Sequence, residues 1–313
     1  MGQRMRDLAS AVALVCLLAA DTGKAAPAEG TFQGPGGALF YKVRGTRPGR
    51  PLVVINGGPG FDHTQILLVP TAWDRLAENR PVIFYDQRGT GRSFALKPGA
   101  ADTLADQVAD LESLRAHLKA ETIDILGHSS GGSTAMAFTA RHPDRVSHLV
   151  LVDSGSPKPA DTRSLFSDVF PDIVARQNAL ESSKDAGSKD ESLRLRRTML
   201  FCSPEQRALY IKLATRLAFN QQVNAALSQD IERFDLEPEV RKFRMPVMVV
   251  TGRFDTVVPP STAYRIHLQI PGSRFVALSE VVISRSSKSR TPLPERWNLS
   301  WRGRPRADRG THQ

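Results

Sequence analysis

TIDILGHSSGGSTAMAFTARHP, residues 122–143, decides how the rest of the chain is read. An apolar run, TIDIL, meets Gly127-His128-Ser129-Ser130-Gly131, and a helical pattern follows at once and stops before Pro143. A serine set between two glycines at a strand-to-helix turn is a G-x-S-x-G elbow. The turn is so tight that its neighbours must be small. It lifts the serine hydroxyl out of the sheet and aims a helix N-terminus at the reacting centre. A plain glycine–serine loop is the bland alternative, and the strand before and helix after argue against it. Ser129 is therefore the candidate nucleophile, and the neighbouring His128 reads as a packing residue.

Working outward, LVVIN (52–56), PVIFYD (81–86), HLVLVD (148–153), PVMVVTG (246–252) and RFVALS (274–279) are short apolar runs of strand type. Between them, residues 103–120 place Leu104, Val108, Leu111, Leu114 and Leu118 at helical spacing, and 261–270 reads as a further helix. This alternation predicts an α/β fold, a mostly parallel sheet with helices on both faces. Strands covered on both sides read as continuous apolar runs, as these do. The rhythm breaks over 156–242, which is charge-rich and helical. That segment is expected to be a helical cap over the C-terminal edge of the sheet, where open α/β sheets bind ligands. The core is then 29–155 together with 243–280.

Acyl transfer needs two backbone N–H groups aimed at the developing oxyanion. The Ser130 amide supplies one. Asn56-Gly57-Gly58-Pro59-Gly60 follows the strand LVVI directly, and its glycines let backbone approach a substrate oxygen, so Gly58 is assigned the other.

The chain carries a net charge of +10, which raises nucleic acid as a partner. Residues 281–313 hold eight Lys/Arg against two Asp/Glu, so +6 belongs there and +4 is left for the body. No aromatic and basic residues interleave in the body, so no nucleic-acid platform is expected. MGQRMR, then LASAVALVCLLAA, then small residues around Ala25 and Ala28 read as a signal peptide, 1–28. The apolar run is too short to span a bilayer comfortably. The mature chain is expected to be exported, periplasmic or secreted, with no membrane span. Val15 before Cys16 argues against lipidation. Cys202 alone then remains, which excludes an internal disulfide, and with no ligand at metal spacing it reads as an inert thiol. Neither cofactor nor metal is expected, and the oligomeric state is left open.

NGGPG (56–60), DQRGTGRS (86–93), GHSSGG (127–132) and GRFD (252–255), in this order, resemble the α/β-hydrolase fold. GGPG together with DQRGxGxS is similar to its prolyl iminopeptidase branch, over residues 30–280. The branch usually has glycine and an aromatic around the serine and histidine before GGPG; here those positions hold His128, Ser130 and Asn56. The resemblance implies cleavage of a small N-terminal residue, often proline, from peptides. Asp86 and Arg88 read as a structural ion pair bracing loops, since a carboxylate beside a guanidinium is a poor base.

In this fold the triad runs serine, acid, histidine. VMVVTGRFDTVVPP offers Asp255 on the loop after the next-to-last strand, the position at which the family pattern places its acid. The histidine belongs just after RFVALS. The chain there reads EVVISRSSKSR, and beyond Asp255 only His267 and His312 remain, one on a helix and one beside the terminus. Residues 281–313 lack amphipathic period and read as an aberrant basic tail of disorder-prone composition. One permitted set of codons for Val281 to Arg290, read two bases later, encodes Gly-His-Phe-Pro-Phe-Val-Glu-Glu-Pro. A single-base deletion near codon 281 would thus replace the histidine loop and last helix; a genuine basic tail is the competing reading.

Three functional readings follow. The first is a serine hydrolase of iminopeptidase type. The second is a catalytically crippled product of the same design, since serine without its base is a weak nucleophile. The third is an esterase or lactonase, because an aminopeptidase needs a cap carboxylate for the substrate amine, and Glu205, Glu232 and Glu237 carry no spacing that selects one.

Overall fold

The computed structural model of the chain describes residues 28–278, apart from 69–70, 98–100, 163, 184, 186, 189–190, 193, 196–207, 209 and 213–216. The signal segment, Cys202, Glu205, the tail from 281 and His312 lie outside the described residues.

Alternation along the strands builds two apolar layers. In β3 (Leu52–Ile55) and β4 (Val82–Tyr85) every residue is buried. Val53, Ile55, Ile83 and Tyr85 face one core, and Leu52, Val54, Val82 and Phe84 face the other. Side chains alternate across a strand, so a run apolar at every position must be covered on both faces. On the first face α2 (Leu104–His117) and α3 (Ser130–Arg141) bring Leu111, Leu114, Met136 and Phe138. On the second, α1 (Thr71–Ala77) brings Trp73, whose ring meets Phe84 edge-on at 5.2 Å and whose Nε1–H donates to the Ile66 carbonyl. Each large apolar side chain removed from water contributes about 1.5–3 kcal/mol.

The sheet has eight strands in the order β1-β2-β4-β3-β5-β6-β7-β8. From β4 to β8, that is through β5 (Ile123–His128), β6 (Val146–Val152), β7 (Val247–Gly252) and β8 (Arg274–Leu278), all pairings are parallel. β1 (Glu29–Gly34) and β2 (Gly37–Arg44) add an antiparallel hairpin at one edge that sequence periodicity did not announce. After β4 the chain crosses back over β3 to lay down β5, so the winding reverses between them. That reversal opens a crevice at the C-terminal ends of β3 and β5.

Between β6 and β7 the described elements include a short 3-10 turn (Pro159–Asp161), α4 (Phe166–Val169), α5 (Pro171–Ser182), α6 (Gln221–Ile231) and α7 (Glu237–Val240), and α8 (Pro260–Gln269) joins β7 to β8. Among the described residues no helix is long and apolar enough to cross a membrane.

Asp86 and Arg88 do not pair with each other, contrary to expectation. Asp86 Oδ1 accepts from the His63 amide at 2.9 Å and meets His63 Nδ1 at 2.6 Å, while Oδ2 accepts from the Arg92 amide at 2.8 Å. It closes its own loop. Arg88 instead reaches α2 and forks onto Asp110, with Nε and Nη2 at 2.7 and 2.9 Å. Asp106 lies 3.0 Å and Asp102 3.9 Å from the same guanidinium. One buried cation thus faces three carboxylates. Burial pushes the Asp102 carboxyl up to about 7, against the pull of Gln107 and Arg88. The neutral form of Asp102 is favoured in the fold, so this group stabilises most at acid pH, and its contribution fades as pH rises from about 4 through about 7. Arg88→Met should cost about 3–5 kcal/mol at pH 7.5, because buried carboxylates lose their partner. The deficit should shrink at pH 5, and urea titrations at the two pH values measure it.

Candidate active site

The elbow forms as the sequence demands. β5 ends at His128, Ser129 takes φ 54° and ψ −123°, and α3 begins at Ser130. A non-glycine residue in that region is strained, and such strain persists only where surroundings over-determine it. Here they do. The Ser129 amide donates to the Val152 carbonyl of β6 at 3.0 Å, and its carbonyl accepts from Gly132 at 2.9 Å. A Cβ on Gly131 would stand 2.4 Å from the Ile55 carbonyl oxygen, and one on Gly57 would stand 2.8 Å from the Cβ of Ser129. Both glycines are therefore required by close approach, which brings the loop after β3 against Ser129.

That loop, 56–60, is pinned from below and above. Asn56 Nδ2 donates to the carbonyls of Gly57 and Phe61, both at 3.0 Å, and Gln87 Nε2 donates to the Asn56 carbonyl at 3.2 Å. Gly58 has φ 146° and precedes a cis bond to Pro59. From the start of α6, Asn224 Nδ2 donates to the Pro59 carbonyl at 2.9 Å and the Asn220 amide to the Gly60 carbonyl at 2.9 Å. Phe61 bridges to Phe219, with ring centroids 4.8 Å apart. Asn220 does three things at once: Oδ1 caps α6 by accepting from Gln222 and Val223, Nδ2 donates to the Gly89 carbonyl, and the main chain holds Gly60. Sequence reading missed both asparagines. The available signal was an asparagine at a helix start, which says cap but not what the remaining donor touches.

Asp255 lies on the loop after β7 and is 2% exposed. Its Oδ1 accepts from the amides of Val257 and Val258 at 2.8 and 2.9 Å. Its Oδ2 is buried and has no hydrogen-bond partner in the structure. Burial, then the neighbouring Asp153, pushes this carboxyl up to about 7, and the two amides oppose the rise only partly. Ser129 and Asp255 thus follow β5 and β7, with β6 between them, about 10 Å apart in the sheet direction at two strand spacings. His128 packs inward beside Gly57. Its Nδ1 is buried without a partner, and burial lowers its pKa, with Asp153 opposing.

The remaining histidine after Asp255 among the described residues is not at the site. His267 sits on α8, with Nδ1 2.8 Å from Ser273 Oγ and its ring stacked on Phe275. Of the cap carboxylates, Glu237 accepts from Gln269 at 2.6 Å and pairs with Arg241 at 3.5 Å, and Glu232 is an exposed residue ending α6. Asp62, His63 and Asp86 bring ligand-type atoms within 4.8 Å of one another, but the His63–Asp86 bond and the loop amides already occupy them.

Comparison with known proteins agrees with this geometry. The model of the alpha/beta hydrolase fold family matches residues 50–281. This chain belongs to the alpha/beta hydrolase family. It is similar to a proline iminopeptidase of Saccharolobus solfataricus, 30% identical over 251 residues, or 76% of this chain and 79% of that protein. It is prolyl iminopeptidase-like within the family. Its fold is shared with an esterase from Rhodococcus (TM-score 0.65, 23% identity, 80% and 90% of the two chains) and an enol-lactonase from Burkholderia xenovorans (TM-score 0.62, 24% identity, 82% and 93%).

Gly131→Ala tests the close approach. The new methyl meets the backbone of Ile55 and Asn56, which cannot rotate away, so destabilisation of about 2–3 kcal/mol is expected in a urea titration.

Proposed function

We propose that this alpha/beta hydrolase is built for acyl transfer through Ser129, on amides that carry an N-terminal proline or another small residue. The observation that carries the reading is the strained Ser129 elbow, held against the Gly57 backbone with the buried Asp255 two strands away. Ser129 Oγ attacks the carbonyl, the Gly58 and Ser130 amides receive the oxyanion, and Asp255 orients a histidine that takes the serine proton and passes it to the leaving amine. Water then releases the acyl group. Residues 1–28 direct export.

The base is the step this chain lacks. We place its loss at a single-base deletion near codon 281. Support comes from the change of composition there and from the position of His267. Further support is the apolar surface beside the last described strand: Leu268 is 65% and Tyr264 49% exposed, where a closing helix would pack. A second reading, hydrolysis of an ester or lactone, is favoured by one observation. Among the described residues Glu237 is engaged by Gln269 and Arg241, and Glu232 ends its helix in solvent, so neither offers a seat for a substrate amine.

Three preparations test these readings: the chain as it stands, a version with the other frame restored after codon 280, and that version with Ser129→Ala. Proline naphthylamide and a short acyl nitrophenyl ester are the substrates. The restored chain should turn over the naphthylamide at least about 10⁴-fold faster than the chain as it stands, and Ser129→Ala should abolish this. Preference for the ester selects the second reading. Equal rates with and without restoration defeat the lost-base assignment, and a restored chain inert to both substrates defeats the acyl-transfer reading. Gene sequence without a Gly-His codon pair in the other frame removes the deletion.

A further inference from the structure

Behind the nucleophile lies a second carboxyl that the reaction scheme does not use. Asp153 follows β6 directly, one residue beyond the carbonyl that holds the Ser129 amide, and is 6% exposed. Its backbone takes φ 45°, a left-handed value uncommon for a residue with a side chain. That conformation turns its carboxyl across to the end of β7, where Oδ1 accepts from the Gly252 amide at 2.9 Å. Three residues on stands Asp255, whose amide donates to the Gly252 carbonyl at 3.1 Å. Both residues thus close on Gly252, and Asp153 is the like-charged neighbour that acts on the Asp255 carboxyl.

As ionised groups they offer acceptors and no donor. Ionised Asp153 therefore cannot donate to Asp255 Oδ2, which is buried and has no bond. Nor does a cation offset the pair among the described residues. Arg253, on the same loop, lies over the ring of Phe254, and His128 from β5 is held toward its neutral form by burial. Two neighbouring buried carboxylates without a counter-charge among the described residues cannot both stay ionised.

We propose that Asp153 and Asp255 form a buried acid dyad that holds one proton between them, with Asp153 the positioning residue that fixes Oδ2 of Asp255. The proton is the missing donor. It turns two facing acceptors into one O–H···O bond and locks the loop after β7 to the end of β6. The dyad does not depend on the acyl-transfer reading. Its consequence for the reaction does: a histidine N–H can bond Oδ2 only after the dyad gives up its proton.

Carbon-detected NMR of aspartate-labelled protein between pH 4 and 9 tests this. In the unaltered chain the Asp255 carboxyl should titrate near 7, and the Asp153 signal should inflect at the same pH, since a coupled pair titrates as a unit. Asp153→Asn keeps an oxygen for the Gly252 amide and offers Asp255 a permanent N–H donor. It should lower the Asp255 midpoint by about two units or more, while Asp102, which packs with Arg88 and α2, keeps its own. Asp255→Asn identifies the Asp255 signal and should erase the inflection of Asp153. Should Asp153→Asn fail to fold, the unaltered chain and Asp255→Asn still decide. An Asp153 signal with no inflection at the Asp255 midpoint overturns the dyad, as does an unmoved Asp255 midpoint in Asp153→Asn. In the frame-restored chain, kcat/KM should rise with pH through the dyad midpoint, and Asp153→Asn should shift that limb down. An inactive restored chain with an intact NMR signature would count against the reaction and leave the dyad standing.

Discussion

Everything at this site depends on main chain packed against main chain. The first turn of α3 lies so near the end of β3 that no methyl group fits between Gly131 and the Ile55 carbonyl, and the loop after β3 lies as near to Ser129 through Gly57. Backbone contacts of this kind do not relax by side-chain rotation, and packed interiors transmit strain rather than absorb it. The left-handed conformation of Ser129 is therefore a boundary condition imposed by β3, α3 and β6 together. The reversal of winding between β3 and β5 makes the meeting unavoidable, because it sets the ends of both strands at one crevice.

Around that fixed point the polar groups divide by what they hold. Asp86 closes the loop after β4 upon His63 and Arg92, and Arg88 anchors the same loop to α2 through Asp110. Asn56 and Gln87 fix the loop after β3. Asp153 and Asp255 lie at the opposite flank, where no cation among the described residues joins them. The site thus has one flank braced by an ion network and another where two acids face each other. In the proposed dyad, net charge at the second flank is set by proton occupancy rather than by pairing.

Local pattern carried a great deal of this into the sequence. The elbow was legible because a tight strand-to-helix turn admits only small neighbours, and the parallel strands because burial on both faces leaves no polar position. The place of Asp255 on the loop after β7 was legible from chain order. What was not legible were partnerships across the chain. Arg88 finds Asp110 rather than Asp86, 22 residues on, and Asn224 reaches Pro59 from 165 residues away. Composition gives a charged side chain no address; only the packed sheet does. Asp153 reads as the polar end of a strand until its backbone angle is known. The β1–β2 hairpin went unannounced because β1, half exposed at the sheet edge, carries no continuous apolar run.

The asparagines of α6 tie together two events often pictured as separate. A cap that rests on a core by apolar contact alone can lift without disturbing what lies beneath. Here the amide of Asn220 and the side chain of Asn224 are bonded to consecutive carbonyls of the very loop that faces Ser129. Raising this part of the cap pulls on Pro59 and Gly60. Entry to the crevice and the shape of its floor are then a single mechanical degree of freedom, a latch whose bolt is also part of the frame.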